Sequence, residues 1–288
     1  MKSSESLFLD VGGLRYHIRS WGRQGAPKIF MLHGWMDVSA SFQFVVDALR
    51  GEWQVLAPDW RGFGLTQWSS AHSYWYPDYF ADLERILDHF QPGEPVSIVG
   101  HSMGGNILCV YAGVRPERFR RFVNLEGLGM PDNVPAQAPK RFAQWLDDLR
   151  ERPRLRDYAS FDELAARLRE NNPRLTAERA DFLARHWGGE QGNGRVALRS
   201  DPAHKIVNPI LYRTAEVEAC MRRISAPVLW VQAADTDMPG RFRLSAEEIS
   251  RRKSCIPDVR DLVIPDAAHM LHHDQPERVA EAVESFLD

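Results

Sequence analysis

A serine in the run Val96-Ser97-Ile98-Val99-Gly100-His101-Ser102-Met103-Gly104-Gly105 has the neighbours that nucleophilic chemistry requires. A serine hydroxyl reaches a carbonyl only when the chain lifts it clear of its surroundings, and a sharp strand-to-helix turn does this at the cost of a strained backbone. Gly100 and Gly104, placed symmetrically about Ser102, leave the room such a turn needs. The start of the following helix would also aim free backbone N–H groups, that of Met103 among them, at negative charge developing beside the serine.

A serine is a weak nucleophile at neutral pH, so a base must lie within hydrogen-bond reach. His101 adjoins the serine, but its side chain is expected to leave along the turn, and His33 belongs to the loop after an earlier strand. His269 is the expected base. It follows the apolar run Leu262-Val263-Ile264 near the C-terminus, in the chain order serine, acid, histidine. The acid accepts from the other ring nitrogen and stabilises the imidazolium. Three carboxylates could reach it from strand ends: Asp235 and Asp237 in Ala233-Ala234-Asp235-Thr236-Asp237, and Glu126 in Val123-Asn124-Leu125-Glu126-Gly127. Asp235 ranks first, with Glu126 and Asp237 behind it. A second oxyanion donor is expected from the backbone N–H of Trp35, in Leu32-His33-Gly34-Trp35. Asp59 and Arg61, in Pro58-Asp59-Trp60-Arg61-Gly62-Phe63-Gly64, are expected to form an ion pair that braces the site. A metal cluster of His269, His272 and His273 is not expected, because adjacent side chains diverge and no carboxylate–cysteine set accompanies them.

These residues need a frame that gathers them. Short apolar runs at Lys28 to Leu32, Gln54 to Ala57, Val96 to Val99 and Phe119 to Leu125 read as buried parallel strands, and Tyr76 to Phe90 has helical spacing. Ser6 to Val11 and Leu14 to Ser20 flank Gly12-Gly13, a hairpin signal at a sheet edge. The strand pattern then stops. Arginine-rich, amphipathic segments at Arg141 to Arg150, Phe161 to Glu170 and Ala177 to His186 follow, before strands resume at Pro227 to Ala233 and Val259 to Ile264 and a helix closes the chain from Pro276 to Leu287. One α/β core, residues 1–130 and 225–288, interrupted by a helical insertion over 131–224, accounts for this with a single sheet. Trp145, Trp187 and Tyr212 in that insertion are candidates to line an apolar pocket.

Composition narrows the function. The 288 residues carry 36 basic and 39 acidic side chains, a balance that gives no field to attract nucleic acid. No run is long and apolar enough to span a membrane and the N-terminus lacks a signal-peptide core, so the expected address is the cytoplasm. Three widely spaced cysteines, never in a C-x-x-C arrangement, suggest packed thiols rather than disulfides or zinc.

Taken together, His33-Gly34-Trp35-Met36-Asp37, Asp59 to Gly64, Gly100 to Gly105 and His269 resemble the α/β-hydrolase-fold enzymes, in their serine hydrolase-like branch. The resemblance implies an eight-stranded, mostly parallel sheet with helices on both faces and a helical cap over the active site. It sets the chain apart from haloalkane dehalogenases and epoxide hydrolases, which carry aspartate where this sequence has Ser102. The expectation is a cofactor-independent hydrolase of a small apolar ester or related carbonyl compound. Carbon–carbon or amide bond hydrolysis and lyase chemistry share the same residues, and a non-catalytic protein holding a small ligand is the alternative outside enzymes.

Overall fold

The computed structural model describes residues 1–70 and 73–287. Two strands, β1 (Ser4–Val11) and β2 (Leu14–Trp21), form the expected hairpin, closed at Gly12 and Gly13, whose φ angles are both positive. Strands β3 (Lys28–Leu32), β4 (Gln54–Pro58), β5 (Val96–His101) and β6 (Phe119–Leu125) follow. The chain then leaves the sheet and adds β7 (Asp157–Tyr158), β8 (Gly188–Glu190) and β9 (Val196–Leu198) elsewhere, before β10 (Val228–Ala233) and β11 (Val259–Ile264) complete it. The order β1-β2-β4-β3-β5-β6-β10-β11 is parallel from β4 onward.

Alternation along each strand feeds two apolar layers. In β3, Phe30 and Leu32 face one layer while Ile29 and Met31 face the other, and β10 divides Val228 and Trp230 from Leu229 and Val231 in the same way. Helices α1 (Gln43–Ala48), α2 (Tyr76–Phe90) and α3 (Met103–Val114) cover the first half of the sheet, α1 on the face opposite α2 and α3. The segment between β6 and β10 holds α4 (Ala138–Arg150), α5 (Phe161–Asn171), α6 (Ala177–Trp187) and α7 (Thr214–Met221). After β10 come α8 (Met238–Phe242), α9 (Ala246–Lys253), α10 (Leu271–Asp274) and α11 (Pro276–Leu287), with α11 packed beside α1. Helices therefore lie on both faces. No helix among the described residues is long and apolar enough to cross a membrane.

The departure from an all-helical insertion is the small sheet β7-β9-β8, whose strands are too short to show alternation and include Gly188 and Gly189. It closes over a core of its own, in which Leu164, Leu168, Leu183 and Val196 pack together with Phe44 of α1.

The expected Asp59–Arg61 pair does not form. Arg61 instead grips Asp82 of α2 through two parallel bonds, Nε to Oδ2 at 2.6 Å and Nη2 to Oδ1 at 2.7 Å, and reaches Asp78 at 2.8 Å. Tyr16 Oη donates to Asp82 at 2.6 Å and accepts from the Arg61 backbone at 2.9 Å. Asp82 lies on the buried stripe of α2 with Tyr79, Leu83 and Ile86, where a carboxylate is tolerated only when paired. Asp82→Ala leaves the largely covered Arg61 guanidinium with only the more exposed Asp78 and should cost about 3–5 kcal/mol in a urea unfolding titration, whereas a change below about 1 kcal/mol would show that the pair is structurally idle.

Candidate active site

Parallel registration brings the carboxyl ends of five neighbouring segments to one edge. Leu32 pairs with Gly100, His101 with Leu125, Leu125 with Val231, and Ala233 with Ile264. The loops that follow these ends carry Trp35, Ser102, Glu126, Thr236 and His269. This is the edge where open parallel sheets place their ligands.

Ser102 sits between β5 and α3 at φ 51° and ψ −112°, a conformation that side chains rarely adopt. Close packing holds it there. A Cβ at Gly100 would come within 2.7 Å of the Gly104 backbone, and one at Gly104 within 2.4 Å of the Leu32 carbonyl oxygen, so both positions require glycine. The serine N–H donates to Leu125 O at 2.8 Å, and the first intrahelical bond of α3 runs from Asn106 N to Ser102 O at 2.9 Å. The N–H of Met103 thus belongs to the first turn, which has no intrahelical acceptor.

His269 Nε2 lies 3.0 Å from Ser102 Oγ, and its Nδ1 lies 3.3 Å from Glu126 Oε2. Glu126 is buried and itself adopts a positive φ of 58°. Its two oxygens are oriented by Ala233 N at 2.8 Å and Thr236 Oγ1 at 2.5 Å. Of the three carboxylates weighed from sequence, Glu126 alone meets the imidazole. Asp235, ranked first, points outward to Arg174 at 2.7 Å, and Asp237 turns to Arg241 at 2.7 Å along α8. The loop after β10 contributes Thr236 rather than a carboxylate, a role that no sequence signal marked.

The loop after β3 is fixed by His33. Trp60 N donates to its Nε2 at 2.9 Å, so the ring proton is assigned to Nδ1, which donates to Gly34 O at 2.7 Å. Burial pushes the His33 pKa down, which keeps the ring neutral. A trans peptide opposes its C=O and N–H, so tethering Gly34 O also orients the N–H of Trp35. A Cβ at Gly34 would lie 3.2 Å from that of Ser102, which brings this loop against the elbow. The Trp35 side chain is about half exposed.

Asp59 supports the same loop. Its carboxylate meets His17 Nδ1 at 2.7 Å and accepts from the backbones of Ser39 at 2.7 Å and Leu65 at 2.8 Å. Burial alone would raise its pKa, but the His17 contact, neighbouring His33 and the backbone donor outweigh it, so the pKa lies below the usual carboxylate range. A folded-state value below the unfolded one gives stability that is complete at neutral pH and lost as pH falls from about 4 toward the folded value. Asp59→Asn should therefore lower the melting temperature most at pH 7, with the gap from wild type narrowing below pH 4. A gap independent of pH would show that the charge is not what matters.

His101 turns away from Ser102. It packs between His269 and His272, and Nε2 lies 2.8 Å from the backbone oxygen of His269. Burial, then the nearby His272 and His269, pushes its pKa well below the ordinary histidine value. Trp187, a candidate pocket residue, donates to Ser41 Oγ at 3.1 Å, and Tyr212 borders a hollow behind Gly127 and Gly129 with Trp230 and Arg252.

Residues 27–276 match the family model described as alpha/beta hydrolase fold. A serine hydrolase-like protein of Danio rerio is 27% identical over 93% of the chain and 83% of its own length. A 3-hydroxybutyrate-oligomer hydrolase of Cupriavidus necator is 27% identical over 95% of the chain and 92% of its own. Among solved structures, the thioesterase domain of the curacin biosynthetic pathway superposes with a TM-score of 0.87 at 22% identity, covering 98% of this chain and 99% of that domain.

Proposed function

The chain belongs to the α/β-hydrolase-fold family, and from that premise we propose that it is a cofactor-independent serine hydrolase acting on carboxylic esters. The observation that carries the reading is the unbroken line from Ser102 Oγ through both ring nitrogens of His269 to Glu126. Ser102 Oγ attacks the ester carbonyl while His269 Nε2 takes its proton. Glu126 stabilises the imidazolium through Nδ1–H, and the N–H groups of Trp35 and Met103 hold the oxyanion. His269 then protonates the leaving alkoxide, the alcohol departs, and the acyl group stays on Ser102. Water activated by the same histidine releases the acid and restores the serine.

An apolar acyl or alcohol group suits what surrounds the edge. Met130, which follows Glu126 by four residues, is exposed, and α4 of the insertion buries none of its residues and leaves Phe142 and Leu146 open to an apolar substrate in this reading. Residues 131–224 act as the cap that selects substrate. The similarity to a hydrolase of hydroxybutyrate oligomers agrees with an ester bond. Free Cys109, Cys220 and Cys255 agree with a reducing, cytoplasmic setting.

A panel of p-nitrophenyl esters, thioesters, anilides and a vinylogous diketone, offered to one purified sample, separates the rivals by the bond that breaks. Ester turnover at least tenfold faster than the other classes is expected. Preferential cleavage of the diketone or the anilide would replace the ester reading while keeping the residues. Tight ligand binding with no turnover would favour the non-catalytic one.

A further inference from the structure

Behind the imidazole of His269 lies a second group of polar side chains that the reaction does not use. Asp37, His101 and His272 come from three separate segments, the loop after β3, the end of β5 and α10, and all three are at least 98% buried. Each offers one atom, and the three atoms lie within 4.8 Å of one another. Asp37 Oδ2, His101 Nδ1 and His272 Nε2 all lack a hydrogen-bond partner. Burying three such atoms without hydrogen bonds is costly.

The other atoms of Asp37 and His101 show which way each is poised, while both ring nitrogens of His272 lack a hydrogen bond. Asp37 Oδ1 is already occupied, accepting from Val38 N at 2.8 Å and from Ser41 Oγ, which Trp187 in turn holds. Oδ2 is the oxygen left over, and it lies 3.7 Å from His272 Nε2. His101 Nε2 faces a backbone carbonyl and must be the protonated nitrogen, so Nδ1 presents its lone pair. A metal-binding histidine has this arrangement, with one nitrogen free and the other donating to a carbonyl that fixes the ring. Two ligands about 2.0–2.1 Å from one tetrahedral ion stand roughly 3.3–3.4 Å apart, a few tenths of an ångström inside the 3.7 Å between Asp37 Oδ2 and His272 Nε2. Two imidazoles and a carboxylate suit zinc and its first-row neighbours better than calcium or magnesium, which prefer all-oxygen sets.

We propose that Asp37 Oδ2, His101 Nδ1 and His272 Nε2 form a buried site for a divalent transition metal of the zinc class. The site is separate from the nucleophile and does not depend on the catalytic reading. Its ion braces the loop that carries His269, because His101 links the ligand set to the backbone of that residue. The binding set is not the His269, His272 and His273 cluster that the sequence argues against: His269 faces Ser102, and among the described residues His273 is not part of the metal-compatible group.

The test uses the untagged full chain, stripped with a chelator and titrated with Co²⁺ and Zn²⁺. One Co²⁺ per chain with intense visible bands of a four-coordinate ion is expected, together with a higher melting temperature after Zn²⁺ loading. His272→Gln and Asp37→Ser should each weaken uptake at least tenfold. X-ray absorption of the zinc-loaded wild type keeps the proposal testable should either variant fold poorly, and two imidazole shells with oxygen are expected. Ser102→Ala should bind the metal as wild type does, so loss of the catalytic reading would leave this result standing. No uptake, as an Asp37–His272 ion pair or a bridging water would give, overturns the assignment. So do the faint bands of a six-coordinate surface ion, or uptake that both substitutions leave unchanged.

Discussion

Replacing Ser102 by alanine should lower kcat on a p-nitrophenyl ester by about 10⁴ to 10⁶ while leaving the melting temperature within a few degrees of wild type. The size follows from losing the attacking atom, since a bound ester would then face only water and the oxyanion donors. The fold is spared because the residue is only partly buried and both its backbone hydrogen bonds, to Leu125 O and from Asn106 N, involve no side-chain atom. His269→Ala should cost about as much, and the double variant no more than either single one, because nucleophile and base act as one unit. Additive losses would mean that the two residues serve separate steps. Steady-state kinetics on the three variants, with circular dichroism to confirm folding, decide between these outcomes.

Glu126→Gln carries the second largest effect. The change keeps shape and volume but removes the charge that stabilises the imidazolium, and it should lower kcat about 10⁴-fold. Asp235→Asn and Asp237→Asn should stay within about threefold of wild type, because those carboxylates pair with Arg174 and Arg241 at the surface, where an ion pair contributes at most about 1 kcal/mol. Thr236→Val should give an intermediate loss, since Ala233 N still orients the glutamate. A large loss in Asp235→Asn with an active Glu126→Gln would move the acid to the loop after β10.

The sequence states some of this plainly and hides the rest. Lys28 to Leu32, Phe119 to Leu125 and Val259 to Ile264 are strands at the bounds their apolar runs suggest, because buried parallel strands end where polar or glycine-rich loops begin. The elbow is equally legible, since Gly100, Ser102 and Gly104 form one short local turn. The acid was not. β6 and β10 are adjacent and the loop after each carries a carboxylate, so the choice depends on how two neighbouring loops leave the sheet. Glu126 turns inward at positive φ while Asp235 finds an arginine 61 residues away. Arg61 likewise has Asp59 as its nearest carboxylate in sequence but pairs across the fold with Asp82. The clue to its true partner was Asp82, an acid on the apolar stripe of α2 that required a cation. The small sheet β7-β9-β8 left no alternation to read, and the Asp37, His101 and His272 group joins segments up to 235 residues apart.

The most direct measurement is peptide mapping by mass spectrometry after brief exposure to a fluorophosphonate. A single adduct is expected on the peptide containing Ser102, absent from the alanine variant and slowed by several orders of magnitude in His269→Ala. An adduct on another residue, or none on a folded sample, would mean that this hydroxyl is not activated by the imidazole beside it.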